Sequence, residues 1–80
     1  MARNRRLMVF RETKVVSRGE AFTVVVSSGG ASVVDKDNAT FEARTKLPCS
    51  PSRLTRAQLK DVTRRCMRQF WAFMKEMDKL

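Results

Sequence analysis

Residues 7–47 alternate apolar and polar positions with a period of two, whereas residues 54–80 repeat them with a period near 3.6. The first regime predicts strands. Leu7-Met8-Val9-Phe10 opens a segment that continues to Val16 through Val9, Thr13 and Val15, and Ser17-Arg18-Gly19-Glu20 reads as a turn. Ala21–Ser28 is the clearest strand, with Phe22, Val24 and Val26 on one face and Thr23 and Val25 on the other. Gly29-Gly30 predicts a two-residue hairpin loop pairing Ser28 with Ala31 and Val26 with Val33. A short third strand, Ala31–Asp35, leads through Lys36-Asp37-Asn38 to a fourth, Ala39–Leu47. There Phe41, Ala43, Thr45 and Leu47 share a face, and Thr40, Glu42, Arg44 and Lys46 face water.

Two prolines in Pro48-Cys49-Ser50-Pro51-Ser52 bar further strand pairing, so residues 48–53 read as a linker. The helix start is written twice. Thr55 with Gln58 makes a capping box, and Leu54 with Leu59 makes a hydrophobic staple around it. No glycine or proline interrupts the run to Leu80. Its apolar stripe is Leu59, Val62, Cys66, Phe70, Phe73, Met77 and Leu80, with a second apolar shoulder at Met67, Trp71 and Met74. The fold class is therefore α+β: an antiparallel meander of three to four strands (residues 7–47) with one long C-terminal α-helix (residues 54–80) packed across one face. Residues 1–6 form a basic arm and residues 7–80 one domain.

Charge changes this picture most. A net charge of +9, from 17 Lys and Arg against 8 Asp and Glu, favours a polyanionic partner such as DNA, RNA or an acidic protein surface. The excess gathers in three places: the arm (Arg3, Arg5, Arg6), the wet face of the sheet (Arg44 and Lys46, with Arg11 or Lys14 from the first strand), and the back of the helix (Arg64, Arg65, Arg68, Lys75, Lys79). No Tyr or Phe interleaves with these cations, so phosphate-backbone contact fits better than base stacking. For a solubilising face, by contrast, basic charge on one helix alone would suffice.

Catalysis has little to stand on. The chain has no His and no Tyr, its carboxylates neighbour basic or turn residues, and Gly29-Gly30 lacks the lysine of a phosphate loop. Cys49 and Cys66 make neither a disulfide framework nor a zinc site, so no metal or cofactor is expected. No apolar run approaches the roughly 18 residues of a membrane span. These features predict a cytoplasmic or nuclear protein, or one in the host cytoplasm if viral.

As an order of elements, the basic sheet and long C-terminal helix of residues 7–77 resemble the small subunits of the signal recognition particle's Alu domain and the single-stranded-DNA-binding transcriptional coactivator domain. Neither family's motif residues are present, and no residue role is carried over. The expectation is a non-enzymatic binding protein that contacts nucleic-acid backbones or sits in a ribonucleoprotein, as a homodimer or a subunit of a larger complex. Met67, Trp71 and Met74 are the expected partner interface. The alternative is a small phage-type regulatory or inhibitory protein, for example an anti-CRISPR, that docks on a larger host complex.

Overall fold

A computed structural model describes residues 10–78. The element order is β1 (Phe10–Ser17), β2 (Glu20–Ser27), β3 (Gly30–Val34), β4 (Thr40–Ala43), a 3-10 turn (Pro51–Arg53) and α1 (Arg56–Asp78). The four strands form one antiparallel sheet in the order β1-β2-β3-β4, a meander with the helix laid across one face. The α+β class and topology read from the pattern are those observed.

Local chemistry sets the turns. Arg18 (φ 52°) and Gly19 (φ 81°) are both left-handed, as a type I′ hairpin between Ser17 and Glu20 requires. Between β3 and β4, Asn38 takes φ 64°, and the Asp35 carboxylate accepts hydrogen bonds from the Asp37 and Ala39 amides at 2.9 Å each. The middle hairpin differs from its expected form. Its loop is Ser28-Gly29, and Gly30 (φ 133°) is already in β3, paired with Ser27. Val26 thus faces Ala31 rather than Val33. The shift is two residues, so every side chain keeps its face.

β4 is shorter than expected and stops at Ala43. Its partner runs out there, because Ala31 pairs with Ala43 and only Gly30 precedes it in β3. The chain stays extended but turns to the helix. Gln69 accepts from the Arg44 amide (2.9 Å) and donates to the Arg44 carbonyl (2.8 Å), replacing a ladder rung with a side chain.

The core lies between sheet and helix. Thr13, Val24, Val33 and Phe41 make one inward row across all four strands. Phe22, Val24, Val26, Ala31, Val33 and Ala43 are buried beneath Val62, Cys66, Met67 and Phe70. Edge-to-face aromatic pairs join the layers: Phe22–Phe70 at 5.1 Å, Phe41–Phe70 at 5.8 Å and Phe22–Trp71 at 5.8 Å. The expected linker contributes to this core through buried Pro51, as does Leu54, which was expected in the helix but precedes its start at Arg56. Arg11, offered above as a surface cation, points inward. Its guanidinium donates to the Pro51 carbonyl (3.1 Å) and the Leu54 carbonyl (3.4 Å), clamping the 3-10 turn to β1.

Candidate nucleic-acid interface

The helix begins where its capping box says. The Thr55 amide donates to Gln58 Oε1 at 2.9 Å, and the Gln58 amide donates to Thr55 Oγ1 at 3.1 Å. With that start fixed, each later residue has a set azimuth. Leu59, Val62, Thr63, Cys66, Met67 and Phe70 turn toward the sheet, and Arg64, Arg65, Arg68 and Lys75 are exposed on the back. Arg56 and Lys60 continue the row toward the N-terminus while turning off the back onto the flank that faces β1. Arg56, Lys60, Arg64 and Arg68 fall at intervals of four residues, each about 6 Å further along the axis and about 40° further round. They form a continuous cationic ridge of about 18 Å. Arg65 lies to one side and pairs with Asp61 at 3.1 Å, an exposed i, i+4 contact worth a few tenths of a kcal/mol.

At its far end the ridge meets the first hairpin. The Arg18 guanidinium lies 4.4 Å from the centroid of Trp71, and the Trp71 indole N–H donates to Ser17 Oγ at 2.9 Å. Arg18, Arg68 and Lys75 line one shallow concavity with Asp78. Trp71 is held edge-on by Phe22 and Phe70, so a ring that would otherwise serve a base is committed to packing.

The other expected residues divide. Arg3, Arg5, Arg6 and Lys79 lie outside the described residues. Arg44 and Lys46 are exposed, but they follow β4 and line a hollow at the end of the sheet with Gly29, Gly30 and Glu42. Lys46 also lines a hollow with Asp61 and Arg65. The sheet's outer face is not a basic surface, because Glu12 and Glu42 stand in one row across it with Lys14 in the next. Arg18, Arg56 and Lys60 were missed. The four-residue spacing from Arg56 to Arg68 was the available signal, whereas nothing local shows that the Arg18 hairpin folds toward the helix.

The Met67–Trp71–Met74 shoulder is not one free surface. Met67 is 7% exposed and belongs to the core, Trp71 is half-buried, and only Met74 is open to solvent. The sheet wraps far enough to cover the first two. The opposite deviation occurs on the stripe, where Phe73 (46%) and Met77 (49%) are exposed although their period is that of the core. Residues 72–78 are all exposed, although Phe73 keeps one side of its ring on Phe41 of β4 at 5.1 Å.

Other chemistry is sparse. Burial pushes the Cys66 thiol above its ordinary value, opposed by its hydrogen bond with Thr45. Among the described residues, no group of three His, Cys, Asp or Glu side chains is placed to hold a metal ion, and no helix is long and apolar enough to cross a membrane. Comparison with protein families, curated proteins and solved structures finds no match to this chain.

Proposed function

We propose that this protein binds nucleic acid through its phosphate backbone, using the cationic row that winds from the flank of α1 beside β1 to its back. One observation carries the reading: Arg56, Lys60, Arg64 and Arg68 form an uninterrupted ridge, continued by Lys75 and flanked by Arg18. A duplex strand presents a charge about every 3.4 Å along its axis, so an 18 Å ridge faces about five phosphates. Exposed guanidinium groups also suit phosphate, because their planar donor fork matches its oxygens. The occupied face of Trp71 argues against base stacking and for contacts blind to sequence. The arm Arg3, Arg5 and Arg6 would add further cations of the same kind.

The test is fluorescence anisotropy with duplex DNA and structured RNA across a salt series. Four to five contacts predict a log–log slope near −4 on duplex DNA. Arg64→Glu/Arg65→Glu/Arg68→Glu is expected to abolish binding. Unchanged affinity in that variant would remove the helix from the reading.

The second reading, a small regulatory protein docking on a larger complex, is favoured by the open apolar end of α1. Phe73, Met74 and Met77 are neighbours on one helix side, and they remain exposed in a chain with little core to spare. Absence of binding to either nucleic acid even at low salt would favour it.

A further inference from the structure

β1 is an edge strand whose inner face the helix does not close. The helix lies nearest β3 and β4, so the inward residues of β1 are only half-buried whereas those of β2 and β3 are buried. A groove of about 650 Å³ remains between β1 and the first half of α1. Val15, Leu59 and Met67 line it with apolar atoms, alongside Thr13 and Thr63. Thr13 Oγ1 is buried there without a hydrogen-bond partner, a mark of an unfinished layer. The rim is wholly cationic: Lys14 from the strand, and Arg56, Lys60 and Arg64 from the helix.

The open edge carries backbone chemistry too. Ser17 and Glu20 flank a two-residue loop and so form a hydrogen-bonded pair; the ladder then alternates, using the N–H and C=O groups of Val15, Thr13 and Arg11. Those of Glu12, Lys14 and Val16 point away from β2, where the described residues form no further strand.

From these observations we propose that the β1–α1 groove takes an extended acidic segment of another protein, added as a fifth strand beside β1. Its main chain pairs with the free groups of Lys14 and Val16, an aliphatic side chain enters between Val15, Leu59 and Met67, and its carboxylates meet Arg56, Lys60 and Arg64. Alternating donors and acceptors at strand spacing are what a peptide supplies and a phosphate backbone does not. A second copy of this chain is disfavoured as occupant, because its own β1 edge would bring a matching cationic rim against this one. The site shares Arg56, Lys60 and Arg64 with the proposed nucleic-acid ridge and is told apart from it by the β1 edge, which a peptide strand pairs with and a phosphate backbone does not.

The probe is a blocked decapeptide of alternating valine and glutamate, titrated into the ¹⁵N-labelled full chain with amide hydrogen exchange followed by NMR. Saturation is expected to slow exchange of the Lys14 and Val16 amides by about tenfold or more, with Val15, already in the ladder, unchanged. Replacing the peptide's glutamates with lysine, or introducing Arg56→Glu/Lys60→Glu into the protein, is expected to weaken binding by about tenfold or more. Both substitutions lie on an exposed helix face, and the unperturbed spectrum of the core residues verifies folding. Peptide binding without slowed exchange at Lys14 and Val16 would overturn the proposal. So would protection of those two amides by a DNA duplex and not by the peptide, or a monomer–dimer transition that protects them in the absence of peptide.

Discussion

Cys66 shows how position decides the chemistry of a residue. It is fully buried beneath the sheet, 3.6 Å from Thr45 Oγ1, and desolvation raises its thiol pKa. The fold therefore favours the protonated thiol, and the unfolded chain ionises first as pH rises. Stability from this group is complete below the ordinary thiol value of 9.0 and is lost as pH climbs through the higher folded value. Urea unfolding between neutral and strongly alkaline pH is expected to show a decline for the wild type that Cys66→Ala lacks. Equal pH profiles for the two proteins would contradict this. The residue's apolar role was legible from its place on the helical stripe. Its bond to Thr45 was not, because that contact depends on where the chain leaves β4. Arg11 makes the same point from the other side: its charge suggests surface, yet two carbonyls of the 3-10 turn hold it inward.

Among the elements, the helix N-terminus is the feature most completely specified locally. Both capping-box hydrogen bonds form between residues three apart, so sequence spacing alone sets their geometry. Thr55→Ala is expected to cost about 1 kcal/mol by urea denaturation, with little added loss in Thr55→Ala/Gln58→Ala because the two bonds act as a unit. Strand ends behave differently. β4 alternates cleanly from Ala39 to Leu47, but alternation records which side faces the core and not whether a neighbour is present to pair. With β3 exhausted at Gly30, the pairing ends at Ala43 while the alternating burial continues to Leu47. The hairpin at Ser28-Gly29 illustrates a further ambiguity. Two adjacent glycines allow more than one loop placement, and the observed register sets Val33 opposite both Val24 and Phe41 in the central row.

At the scale of the whole molecule, the mismatch between helix and sheet dominates. A 23-residue helix is about 34 Å long, while β4 has four residues and β3 five. The described residues span 48 Å in the longest dimension, and the last helical turns leave Met74, Met77 and the outer side of Phe73 exposed, with the inner side of Phe73 on Phe41. Association through this end is expected to give a dimer by light scattering at high micromolar concentration, and Phe73→Glu/Met77→Glu is expected to leave a monomer. A monomeric wild type would remove self-association from the reading. By itself, the sequence determined what short-range periodicity and spacing can encode: the α+β class, the inward faces of β2 and β4, a turn over Ser17–Glu20, the cap at Thr55 and the excess of positive charge. Tertiary structure alone decided how far the sheet reaches along the helix, and with it which apolar residues are core. Met67 is covered and Met77 is not, although both are apolar positions of one amphipathic helix. The same placement brings Arg18 to the ridge and leaves β1 open above Leu59, because burial depends on the lengths and crossing of two elements distant in the chain.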